Sequence, residues 1–222
     1  DVLAVLGTLF GLATSLGLGA SQINAGLGEL FGIAISTNTQ IIIIAVITFC
    51  ATVSLVLGLK KGIRRLSELN MMLALLLMGF VLFAGPTSAL LRGLPDHLGN
   101  YLQGLPTHPF RNLEWQKSWT IFYWAWWLSW SPFVGMFIAR ISRGRTIRQF
   151  VLGVLIIPTL LSLLWFGIFG GAALRLELFG GGGLTEAVQE NSATAIYALL
   201  ANFPFATLAN WLAIILVAIF FI

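Results

Sequence analysis

An all-α integral membrane protein is the fold class this sequence predicts, and three observations carry the prediction. Of 222 residues, 58% are apolar and only 9% are charged, against about 25% charged in soluble domains. Mean hydropathy is +0.94, and apolar runs reach the roughly 18 residues or more that a membrane-crossing helix needs. The charges also gather in a few loops instead of spreading over a polar shell. This excludes a soluble enzyme and a nucleic-acid binder, although the formal net charge is +4. A single cysteine, Cys50, in an apolar run rules out a disulfide framework and a cysteine metal site. Two histidines, His97 and His108, share one loop and read as solvated residues. No cofactor is expected.

Six apolar segments follow in order, over 2–33, 40–59, 71–91, 118–139, 150–172 and 205–222. Each is about 20 residues or more, enough at ~1.5 Å per residue to cross a ~30 Å hydrocarbon core. The chain begins at Asp1 without a methionine or a signal-peptide pattern and ends at Ile222 inside an apolar run. It therefore reads as an internal piece of a longer membrane protein. Lys60, Lys61, Arg64 and Arg65 follow the second segment, and Arg140, Arg143, Arg145 and Arg148 follow the fourth. Six spans place these two basic loops on one side, which the positive-inside rule makes cytoplasmic. Topology alone is the leading account of these charges, and regulatory or lipid contact is the minority reading.

The first segment is rich in Gly, Ser and Thr. Gly11, Ser15 and Gly19 recur every four residues, so small side chains line one helix face and permit close packing. Gln22 and Asn24 within the run call for internal partners. Hydroxyls such as Thr8 and Thr14 offer either structural bonds or oxygen ligands for an ion. After the third segment, Leu91, Leu94, Leu98, Leu102 and Leu105 recur at helical spacing, predicting an amphipathic interfacial helix over about 94–105. The stretch 173–204 reads as a loop, flexible at the glycine run 180–183.

Six of the eight tryptophans fall between 115 and 130: Trp115, Trp119, Trp124, Trp126, Trp127 and Trp130. An interfacial belt explains Trp115 and Trp119; the others continue deep into the span. At 100° per residue, Trp119, Phe122, Trp126, Trp130, Phe133 and Phe137 lie within about 40° of one line. Helix packing can use such a stripe, yet mid-span indoles need partners for their N–H groups. A quaternary ammonium has no N–H to donate and binds the negative faces of aromatic rings, Trp best. Glu29 is the only acid within a predicted span. An aromatic cage fits this pattern better than ion pairing.

The run Ser118-Trp-Thr-Ile-Phe-Tyr-Trp-Ala-Trp-Trp127 resembles, position for position, the signature of the betaine/carnitine/choline transporter family. The continuation Leu128–Gly135, the basic loop through Arg148, and Thr14–Gly19 followed by Gln22, Ile23 and Asn24 are similar to that family as well. The resemblance implies a twelve-helix secondary transporter with two inverted five-helix repeats, the leucine-transporter-like fold. This chain would supply its helices five to ten. It implies a small quaternary-ammonium substrate (glycine betaine, choline or carnitine), a homotrimer, and a multi-pass location in the bacterial inner or plasma membrane. On the family pattern Trp126, Trp127 and Trp130 line the substrate pathway, with Phe122 nearer its entrance. Thr8 and Phe133 would lie near a second sodium site in sodium-coupled members. Leu12 stands one turn after Thr8, where such members are expected to carry a second hydroxyl, so sodium, proton and exchange mechanisms stay open. A membrane-embedded enzyme would need clustered acid, His or Cys in the spans, and a structural subunit gives the Trp array no use.

Overall fold

In the computed structural model, residues 2–56, 63–104 and 114–222 are described, and among them every regular element is helical. The helices are α1 (Val2–Phe31), α2 (Thr37–Val56), α3 (Ile63–Ala84), α4 (Thr87–Gly104), α5 (Glu114–Ile141), α6 (Ile147–Phe179), α7 (Leu184–Glu190), α8 (Ala195–Leu200) and α9 (Ala206–Phe221). Helices α1, α2, α6 and the Arg64–Ala84 stretch of α3 are long and apolar enough to cross a bilayer. Helix α5 is 28 residues long, and its Trp, Tyr and Ser content lowers its hydropathy. Lys60, Lys61, Leu105 and His108 lie outside the described residues.

Helix ends follow from local chemistry. Between α1 and α2 the buried Asn24 side chain bridges the turn: its Nδ2 donates to the Ala34 carbonyl, and its Oδ1 accepts from Ser36 N–H at 3.1 Å. Asn24 thus has the internal partners its position demands, whereas Gln22 is exposed. The predicted third segment, 71–91, is cut in two. Its helix starts earlier, at Ile63, and stops at Ala84, because Pro86 brings no N–H to the ladder. Thr87 Oγ1 donates to the Leu82 carbonyl at 2.7 Å, and α4 begins there, seven residues before the predicted interfacial helix. Gly144, at φ 80°, turns the chain into α6. Thr146 and Gln149 close a reciprocal capping box there.

Two single-turn π-segments, Leu152–Ile156 and Phe166–Gly170, interrupt α6. The first absorbs Pro158: Ile157 N–H reaches back five residues to the Leu152 carbonyl just before the proline. Helix α6 extends to Phe179, beyond the predicted 150–172, and most of 173–204 is helical where the sequence reads as a loop. Gly181, Gly182 and Gly183 all have positive φ, which glycine adopts without steric cost. Across this turn the Glu177 carboxylate accepts the N–H groups of Leu184 and Thr185.

The chain divides into two compact units. One comprises Asp1–Ser15 and Gly93–Phe166, thus the start of α1 with α5; the other comprises Leu16–Arg92 and Gly167–Ile222. In the second unit α9 packs on α2, α3 and α8, and the later part of α1 joins it. Gly19 faces the Phe221 ring, Gly26 faces Tyr197 and Ile214, and Phe31 meets Trp211 edge-on at 5.3 Å. Tyr197 is 1% exposed and its hydroxyl has no hydrogen-bond partner among the described residues. Burial pushes this phenol up to about 12.

Candidate substrate-pathway helix

Helix α5 carries nearly all of the aromatic candidates, so its local construction decides what they can do. Pro132 removes the amide that would bond the Leu128 carbonyl. Ser131 Oγ takes that place, donating to Leu128 O at 2.9 Å. The helix continues through the proline with its freed carbonyl satisfied, as an apolar surrounding requires.

The predicted stripe forms two groups of ring contacts. Trp119 meets Phe122 edge-on at 5.8 Å, and Phe122 meets Trp126 at 5.9 Å. Tyr123 touches Trp119, Phe122 and Trp126, each within 6 Å between centroids. One turn on, Trp130 packs edge-on against Phe133 at 5.8 Å. Such pairs contribute about 0.5–1.5 kcal/mol each beyond their area, and they hold neighbouring rings in fixed orientations.

The small-residue face of α1 receives this helix. Gly7 lies against the Ser129 backbone, where an added Cβ would sit 3.3 Å from the Ser129 carbonyl oxygen. Gly11 gives its face to Trp130: a Cβ there would stand 2.1 Å from the indole Cδ1. Ser15 is 6% exposed, and its hydroxyl accepts the Trp126 Nε1–H at 3.2 Å while donating to the Gly11 carbonyl. Residues 7, 11 and 15 are thus successive contacts at the four-residue helical spacing. The sequence shows the small face; that the tryptophan helix fills it is legible only in the structure.

These contacts separate the indoles. Trp126 and Trp130 are half-buried and turned onto α1. Trp127 and Trp124 stand open, 60% and 67% exposed. Trp126 Nε1 has its acceptor, whereas Trp130 Nε1 is buried with no partner among the described residues. A buried N–H without an acceptor costs about 1–3 kcal/mol. Phe122 is half-buried in its ring cluster, and Phe133 is half-open beside Trp130.

Thr8 sits one residue from the Gly7 contact. Its Oγ1 donates to the Ala4 carbonyl at 2.8 Å, a bond within its own helix turn. The donated proton leaves the hydroxyl lone pairs available to a cation. Leu12, at the next turn, is exposed and has no oxygen to add.

An all-helical membrane protein, with one aromatic helix seated on one glycine- and serine-faced helix, is the class that fold and site define. The chain belongs to the betaine/carnitine/choline transporter (BCCT) family, whose model matches residues 1–222. It is 47% identical to a glycine betaine/proline/choline transporter of Vibrio parahaemolyticus, covering all of this chain and 40% of that protein. It is also 47% identical to a glycine betaine transporter of Bacillus subtilis, with 100% and 44% coverage. The high-affinity choline transport protein of Escherichia coli is 47% identical as well, with 100% and 34% coverage. The chain therefore spans less than half the length of each of these three relatives.

Proposed function

We propose that this chain forms part of a secondary transporter that moves quaternary-ammonium solutes (glycine betaine, choline or carnitine) through the membrane by alternating access. The observation that carries the reading is the α5 surface. Trp126 and Trp130 are anchored on α1 while the adjacent Trp127 indole stays 60% exposed. A trimethylammonium head desolvated against such rings gains about 2 kcal/mol or more per contact. The carboxyl-free composition of α5 beyond Glu114 leaves the cation no competing ion pair. Relatives named as glycine betaine and choline transporters support the same substrate class. In this reading Trp126, Trp127 and Trp130 line the path, and Phe122 stands nearer its entrance. A twelve-helix, inverted-repeat architecture and a homotrimeric assembly belong to the same proposal.

Labelled betaine, choline and carnitine uptake by the full-length protein tests it. Saturable uptake of at least one of the three supports the proposal; uptake of none, by correctly inserted protein, overturns it.

The proposal includes a sodium ion near Thr8 and Phe133, held by hydroxyl and carbonyl oxygens of a kind sodium prefers. Thr8→Val keeps the shape and removes the ligand. It is expected to raise the sodium concentration for half-maximal uptake severalfold while leaving substrate affinity at saturating sodium unchanged. Equal uptake by the unmodified protein in sodium-free buffer would replace sodium by proton coupling or exchange.

A further inference from the structure

We infer that the outer end of α6 holds a phospholipid headgroup, its phosphate paired with Arg175. Within the second unit, a cavity of about 330 Å³ opens between the α3–α4 elbow, the last turns of α6 and residues 202–203. Its walls include Ala84, Pro86, Phe179 and Phe203, and its polar groups are Arg175 and Asn202. This space suits a headgroup, being far larger than a single water requires.

The cavity's charge is uncompensated. Arg175 is exposed and has no carboxylate partner among the described residues. Its guanidinium lies 5.6 Å from the Phe179 ring centroid. Guanidinium N–H donors form a fixed fork that matches phosphate oxygens. Glu177, the nearest acid in sequence, is engaged by the Leu184 and Thr185 amides across the glycine turn. Asn202 donates one amide hydrogen to the Ala198 carbonyl at 2.8 Å, which leaves the second for a phosphate oxygen.

A lipid, as the source of that phosphate, follows from the surroundings. The cavity lies at the end of a 33-residue apolar helix able to cross the membrane, remote from Arg148 at its start. Beside Arg175, Leu174, Leu178 and Phe179 are 57%, 70% and 77% exposed. Acyl chains can run along this apolar strip while the headgroup phosphate meets the guanidinium fork of the arginine.

Phosphatidylglycerol retained by the full-length protein, purified in mild detergent and counted per protomer by mass spectrometry, tests the site. Arg175→Gln should lower retention by roughly fivefold, the effect of one arginine near a lipid phosphate. Arg175→Lys should keep most of it. Ala84→Phe fills the cavity without changing charge and should lower retention in protein that still elutes as a single species. Unchanged retention in Arg175→Gln overturns the site. Full retention in folded Ala84→Phe overturns the cavity as its location. Displacement of the lipid by millimolar soluble glycerol phosphate would overturn the lipid as ligand in favour of a free phosphoester.

Discussion

The two units use glycine in the same way and to opposite ends. In the second unit Gly26 opens a place for Tyr197 and Ile214, and the large side chains there close over one another. Every buried hydrophobic side chain among the described residues belongs to this unit, from Ala20 to Ile214. In the first unit Gly11 opens a place for Trp130, yet no apolar side chain around it is buried. The side chains with the most apolar area, Trp124 and Trp127, are among those left open. Aromatic bulk normally dominates a core; within this chain the first unit leaves these two rings open. A glycine seat in the second unit therefore serves stability, and one in the first unit serves the orientation of an indole surface.

That contrast breaks most visibly at Gly26. A Cβ there would stand 2.5 Å from Tyr197 Cζ and from Ile214, inside a packed core with nowhere to yield. Gly26→Ala is expected to destabilise the protein by about 1–3 kcal/mol through overpacking. The helix-propensity gain of under about 1 kcal/mol does not offset this. Thermal unfolding in detergent measures it, and an unchanged midpoint would show that the seat is not part of a tight core.

At Gly11 the same kind of substitution should have a different readout. In Gly11→Ala the Trp130 indole must swing away from α1, in a unit where no apolar side chain among the described residues is buried. Substrate affinity in uptake is expected to fall by about tenfold, the loss of one desolvated ring contact, with the unfolding midpoint shifted by only a few degrees. Equal losses of stability at positions 11 and 26 would erase the distinction between the units.

Tyr197→Phe sharpens the comparison from the other side with the smallest effect. The buried phenol lacks a partner among the described residues. With its pKa raised to about 12 it stays neutral across the ordinary pH range. Removing a hydroxyl that makes no bond should be neutral or stabilising by up to about 1 kcal/mol, with no change in stability between pH 6 and 9. A clear destabilisation would mean the hydroxyl has a bonded partner.

Sequence reading reached the helical membrane class, the small face of α1 and the aromatic stripe of α5, because each is a matter of composition or of 3.6-residue periodicity. Asn24 was also legible as a residue needing partners, since a carboxamide in an apolar run has few alternatives. Hydropathy does not see where a long apolar run is cut, and it ran the third segment through the Gly85-Pro86 break. The helices of 184–200 were hidden by short length and by the glycine run before them. Pairing was beyond reach for a deeper reason. Periodicity fixes which residues share a face, but which helix covers that face depends on contacts more than 100 residues apart, such as Ser15 with Trp126. Hence the mid-span stripe indoles, Trp126 and Trp130, are anchored on α1, whereas the open indoles, Trp124 and Trp127, lie off the stripe.

Trp127 is the open indole beside the two anchored ones, and the affinity of uptake in Trp127→Leu tests the account most directly. Leucine keeps an apolar side chain and removes the ring face, so the variant of the full-length protein should insert and fold as before. Its half-saturating substrate concentration is expected to rise by roughly tenfold or more. An unchanged value in correctly inserted protein would contradict the account and reduce the exposed face of α5 to a packing surface.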